Sequence, residues 1–133
     1  MNKEVRELNN FQRQEISEAV HDWKKVMAAI PSYRYRGQNR FTQNDIDTLE
    51  QEVTKGTYQS GMLGLLAEWE SMGLSRRPHL KDLLKHLLQA DELAAASFIS
   101  ENLLNEEEPI TEENKVEKLD KLKDVVIIGN IQL

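Results

Sequence analysis

Five leucines, at positions 80, 83, 84, 87 and 88, limit what this chain can become. Steps of three and four residues line one side of an α-helix, whereas a half-buried strand needs alternation. A stripe that broad and that apolar must be covered by other elements. The chain therefore has to surround this helix with partners of the same kind.

The rest of the sequence supplies them. Asn9 or Asn10 can cap a first helix whose apolar stripe is Phe11, Ile16, Ala19 and Val20. Asp22 can cap a second, with Trp23, Val26, Met27 and Ile30 at i, i+3, i+4, i+7, and Pro31 stops it. Residues 32–40 read as a loop. Thr42 and Asp45 form the start of a third helix, close to a capping box, with Ile46, Leu49 and Val53 turned inward. Gly56 breaks it. A fourth helix runs from about Gln59 to Met72, and Met62, Leu63, Leu65, Leu66 and Trp69 make it broadly apolar and central. Pro78 suits the first position of the leucine helix, the fifth. Asp91 caps a sixth, with Leu93, Ala94, Phe98, Ile99 and Leu103 on its buried side. Both tryptophans lie on apolar stripes and are read as core. The expected fold is all-α, a six-helix antiparallel bundle over residues 1–104.

Past Leu104 the character changes. Asn105-Glu-Glu-Glu-Pro109 is an acidic linker. Thr111 to Asp124 reads as a helix with Val116, Leu119 and Leu122 on one face, and Val125, Val126, Ile127 and Ile128 follow as a β-branched run. Residues 105–133 are thus expected to be an acidic linker and an amphipathic, apolar tail. An apolar run of that kind needs a docking surface, because free in solution it promotes aggregation.

Chemistry is scarce. The chain of 133 residues has no cysteine, which excludes disulfides, thiolate metal sites and a Cys nucleophile. His79, Asp82 and His86 share a helix face, but a zinc site needs further ligands and supporting hydrogen bonds, so they read as a solvated face. No phosphate-cradling glycine loop and no serine elbow is present. No cofactor and no metal is expected, and an enzyme is disfavoured. Arg34, Arg36 and Arg40 interleave with Tyr33 and Tyr35, a pattern able to contact RNA, but the net charge of −6 lacks the basic excess of a nucleic-acid binder. The first ten residues are polar and charged rather than leader-like, and no apolar run approaches the ~20 residues of a membrane helix. The expectation is a cytoplasmic protein without membrane insertion.

What remains is surface charge. From residue 105 to 133 there are eight acidic and four basic residues, so the preceding body is nearly balanced. Its charges are segregated: Asp45, Asp47, Glu50 and Glu52 on the third helix, Arg34, Arg36 and Arg40 in the loop before it, and Arg76, Arg77, Lys81 and Lys85 around the start of the fifth. Separated unlike patches suit binding to other small domains, each patch meeting its opposite.

Several segments, in order, carry a family resemblance. Asp22-Trp-Lys-Lys-Val-Met-Ala-Ala-Ile-Pro31 resembles the second helix of death domains in the Tube and interleukin-receptor-associated kinase family. Leu65-Leu-Ala-Glu-Trp69 is similar to their fourth helix, Arg76-Arg-Pro-His-Leu-Lys-Asp-Leu-Leu84 to the start of their fifth, and Gln89-Ala-Asp-Glu-Leu-Ala-Ala-Ala-Ser-Phe98 to the entry of their sixth. Leu103-Leu-Asn-Glu106 is similar to the end of the Tube domain. The likeness spans roughly residues 8 to 108; the loop between the second and third helices is shorter and richer in Arg than in Tube. It implies a six-helix Greek-key bundle of death-domain type. It further implies a non-enzymatic adaptor in Toll/interleukin-receptor signalling, forming a hetero-oligomer with a myeloid-differentiation-type adaptor and a Pelle-type kinase and recruited to a membrane-proximal receptor complex. In the family a carboxylate near the junction of helices one and two and the tail contact the kinase. Glu18 and Asp22 are the local candidates for the first, and the segment from Asn105 onward, with Val125 to Ile128, for the second. The alternative within the family is the N-terminal death domain of a receptor-associated Ser/Thr kinase whose kinase domain is absent from these residues.

Overall fold

The computed structural model describes residues 3–32, 35, 37–71, 77–104 and 110–122. A 3-10 turn, Val5–Glu7, precedes six α-helices: α1 Asn10–Ala19, α2 Trp23–Ala29, α3 Gln43–Thr54, α4 Gly61–Ser71, α5 Leu80–Gln89 and α6 Leu93–Phe98. α6 continues into a π-helical turn, Ile99–Leu103, and residues 115–122 form a further helix, α7. α1 packs on α4 and α6, while α2 packs on α3, α4 and α5. This is the six-helix bundle the periodicity calls for.

Local chemistry sets the helix starts. Asn9 and Gln12 exchange side-chain and backbone hydrogen bonds at the head of α1, and Thr42 and Asp45 do the same at α3. Asp22 caps α2 by accepting from Lys25 N–H. Gly56 ends α3 in the left-handed region, φ +88°, as a breaker glycine should. Gly61 opens α4 where a Cβ would overlap the Trp23 ring, so its missing side chain lets α2 and α4 approach.

The leucine stripe is the centre of the core. Leu80, Leu83, Leu87 and Leu88 are fully buried, as are Ile16, Val26, Ile30, Leu65, Leu66 and Trp69. Each buried Leu, Ile or Val contributes roughly 1.5–3 kcal/mol of transfer free energy. The segment before α1 joins them: Val5 is buried, its N–H donates to Pro78 O at 2.9 Å, and Leu80 N–H donates to Lys3 O at 2.8 Å.

Several sequence expectations are corrected. Phe11 is exposed, because α1 is short and buries Ile16 through its later turns. Trp23 is half-buried, lying against the core under Lys24. Pro78 stands two residues before α5, where its carbonyl pairs with Val5, and His79 is the cap residue. The face carrying Asp82 and His86 is not solvated: both are buried, His86 against Trp69 and Asp82 accepting from His79 N–H at 2.9 Å. Glu92, not Asp91, is the residue before α6. α6 buries Ala95 and Ala96, and the turn after it buries Ile99, while Ala94 is exposed; the alanines admit close approach to α1 and α5. On α7, Leu119 and Leu122 pack on the core but Val116 is exposed.

Candidate functional site

The charged surface is built on this frame. Asp22 ends the α1–α2 corner, and its position as helix cap leaves it exposed. Lys24, in the first turn of α2, forms an ion pair with Glu50 of α3. The Lys24 ammonium is held above its ordinary pKa chiefly by that hydrogen bond, with smaller contributions from the charges of Asp47 and Asp22. Asp22, Asp47 and Glu50 thus converge around one lysine, joining the corner to the outer face of α3. Asp47 also accepts from Gln43 at 3.0 Å, and Asp45 is engaged in the α3 capping box. Glu18 is exposed in the last turn of α1, accepting from Gln14 at 3.1 Å. The result is an acidic face with the Lys24 cation embedded in it.

The basic groups lie elsewhere. Arg77 and Lys81 are exposed at the entry to α5. Arg40 is different from its expected role as an open loop residue. Its backbone N–H donates to Ile30 O at 2.9 Å, and its guanidinium lies 4.8 Å from the Phe41 ring centroid. It borders a cleft of about 150 Å³ together with Asp45, Glu52 and Glu68. Its Nε and Nη2 are buried, with no hydrogen-bond partner among the described residues. Arg34, Arg36, Arg76 and Val125, Val126, Ile127 and Ile128 lie outside the described residues.

Two features escaped the sequence reading. Arg13 of α1 pairs with Glu70 of α4 at 2.8 Å, with both side chains about four-fifths buried, and its Nε donates to Leu8 O at 3.0 Å. Glu92 accepts from the backbone N–H groups of His21 and Asp22 at 2.9 and 2.7 Å. Neither carries a local signal, because each joins residues more than fifty positions apart.

The tail folds back on the bundle. Ile110 is buried in the core, Ser97 Oγ donates to Ile110 O at 3.2 Å, and Lys115 pairs with Asp91. The Asp91 carboxyl is held below its ordinary pKa, and the Lys115 ammonium above its own, each mainly by this hydrogen bond.

Among the described residues, no group of three or more His, Cys, Asp or Glu is placed to hold a metal ion. No helix among them is long and apolar enough to cross a membrane. The arrangement offers rigid charged faces.

Comparisons with known proteins agree with this picture. The family model described as the Tube Death domain matches residues 27–118. A chain of a solved complex between the death domains of Pelle and Tube has the same fold: TM-score 0.70 and 23% sequence identity, covering 82% of this chain and 87% of that one. No curated protein matches. With a family model matched over more than half its length, on a bundle of the same fold, this chain belongs to the Tube death domain family.

Proposed function

We propose that this chain is an adaptor of Toll-type signalling that assembles with other death domains, among them the death domain of a Pelle-type kinase and that of a myeloid-differentiation-type adaptor. Death domains are protein-interaction modules, and as a member of the Tube family this one is not an enzyme. The observation that carries the reading is the acidic face around Lys24, where Asp22, Asp47 and Glu50 meet. Such a face suits a partner's basic surface, and unlike patches bring specificity and association rate. The similar solved structure is itself a complex of two death domains, of Pelle and Tube.

In this reading residues 1–104 are the binding body and residues 105–133 an appendage, whose described part, 110–122, lies back on that body. Glu18 and Asp45 extend the acidic face; Arg34, Arg36, Arg76, Arg77 and Lys81 provide basic contacts; and Val125 to Ile128 provide an apolar one. The work is done in the cytoplasm, close to a membrane receptor, in a hetero-oligomer.

The test is charge reversal at the exposed basic end. Arg77→Glu with Lys81→Glu leaves the core untouched, so the helical circular dichroism stays as in the wild type. Binding to at least one of the two partner death domains weakens by about tenfold or more, because like charges then face each other. Unchanged affinity for both partners removes this end of α5 from the interface, and failure of the wild type to bind either overturns the adaptor reading.

A further inference from the structure

Asp45, Thr48, Leu49 and Glu52 fall at i, i+3, i+4, i+7 on α3, so they share one stripe, and Asp47 and Glu50 of the Lys24 face lie outside it. This second stripe borders the cleft of about 150 Å³. The buried side chains of Met27, Phe41 and Leu49 give the cleft an apolar floor, and Asp45, Glu52 and Glu68 give it three carboxylates. Each carboxylate is held through one oxygen: Asp45 accepts from Thr42 N–H at 2.8 Å, Glu52 from the Thr57 hydroxyl at 2.8 Å and Glu68 from the Tyr58 hydroxyl at 3.3 Å. These contacts fix the acids in place without neutralising them. Their charge is felt nearby. The Tyr58 phenol is pushed above its ordinary pKa, first by burial and then by the charge of Glu68, its hydrogen bond to Glu68 and the charge of Glu52.

Arg40 also lines the cleft, yet it leaves those acids alone. Its guanidinium lies against the Phe41 ring, and its Nε and Nη2, both shut off from solvent, have no acceptor among the described residues. An arginine stays protonated, so two inward donors without an acceptor are costly. Nε and Nη2 form one edge of the guanidinium fork, which takes an oxygen acceptor side-on. The cleft thus has two unmet demands: three carboxylates against one guanidinium, and a donor edge without an oxygen. A lone cation answers only the first, and a lone anion only the second.

We propose that this cleft seats an extended Lys- or Arg-bearing segment of a partner protein, with the cationic side chain between Glu52 and Glu68 and a main-chain carbonyl of the segment on the Arg40 edge. The aliphatic stem of the guest side chain covers Met27, Phe41 and Leu49, while its head stays among the carboxylates. Seating the guest turns the Arg40 guanidinium from the Phe41 ring towards the cleft. Arg40 therefore favours the guest although both carry positive charge. The cleft lies on a different stripe of α3 from the partners of Lys24, so it is a second site, independent of the adaptor reading.

The experiment is an NMR titration of the isotope-labelled full chain with a blocked pentapeptide, one central arginine among glycines. The expected result is saturable shifts of the Arg40 Nε–H signal and of the amides of Glu52 and Tyr58, with a dissociation constant in the millimolar range. The same peptide with glutamine in place of the arginine gives no saturation. Glu52→Gln weakens binding by about fivefold or more, because one carboxylate is lost. Arg40→Lys keeps the positive charge but loses the fork edge, and it weakens binding by a similar factor. A repulsive role for Arg40 does the opposite: tighter binding by Arg40→Met overturns the inference. So does the absence of saturable shifts, or equal shifts with the glutamine peptide. Shifts confined to Asp47 and Glu50 assign the guest to the Lys24 face and overturn it too. No death domain enters this titration, so its failure leaves the adaptor reading to its own test. Glu52 is half-buried on the surface of α3, so Glu52→Gln, with its fold checked by circular dichroism, decides even where a change at Arg40 unfolds the domain.

Discussion

The rings of Trp69 and His86 meet in the core with centroids 5.7 Å apart and planes inclined at 58°, locking α4 against α5. Trp69 is fully buried and His86 is 2% exposed, so this tilted pair joins a residue of α4 to one of α5 inside the core. The Trp69 indole Nε1 is buried and has no hydrogen-bond partner among the described residues, so the residue acts through volume and ring contact.

Trp69→Ala is therefore expected to destabilise the domain by roughly 3–5 kcal/mol, the range for deleting a buried aromatic. Trp69→Phe should cost distinctly less, since no hydrogen bond is lost with the indole. Urea unfolding followed by circular dichroism separates the two. Equal losses for both variants would mean that the nitrogen matters in a way its surroundings do not show.

Arg13 gives a second stability test. It links α1 to Glu70 of α4 and to the carbonyl of Leu8, in a setting where about one-fifth of each charged side chain is exposed. Arg13→Ala leaves Glu70 and that carbonyl without their donor and should cost about 1–3 kcal/mol, below the value for a wholly buried pair. Glu70→Gln should cost less, because a neutral acceptor remains. The reverse order in chemical denaturation would show that the pair is not what joins α1 to α4.

The fold was readable where the sequence is periodic and capped. The leucines of α5, the run from Trp23 to Pro31, and the Thr42–Asp45 start of α3 each carry a local physical rule, and each stands where the rule puts it. Misreadings fell where tertiary packing overrides local pattern. Phe11 fits the apolar stripe yet is exposed, and His86 fits a polar face yet is buried against Trp69. Part of the candidate surface is legible as charge: Asp47 and Glu50 stand out on the acidic third helix, and Asp22 through the family resemblance. Their convergence around Lys24 is not, because it depends on α2 packing against α3. The Glu92 clamp was invisible for the same reason, since its partners lie some seventy positions away.

The tail contact should depend on pH in a defined way. Asp91 has a lowered pKa, so its contribution is present above the ordinary carboxylate value, about 3.9, and is lost as pH falls through the depressed folded value. Lys115 has a raised pKa, so its contribution is present below the ordinary lysine value, about 10.4, and is lost as pH rises through the raised one. Docking of residues 110–122, followed by amide exchange, should be level between about pH 5 and 9. Asp91→Asn should remove the acid-side dependence. A wild-type tail that loosens midway through that range would contradict the ion pair.

The central claim is that the acidic face around Lys24 receives another death domain. The most direct test is calorimetric titration of the full chain with the death domain of a Pelle-type kinase, comparing the wild type with Asp47→Lys plus Glu50→Lys. Both positions are exposed, so the fold should survive the change. The predicted result is saturable binding by the wild type and a loss of about tenfold or more in the reversed protein, larger than in the corresponding double alanine variant. Equal affinities for the wild type and the reversed protein, with both folded, would contradict the claim.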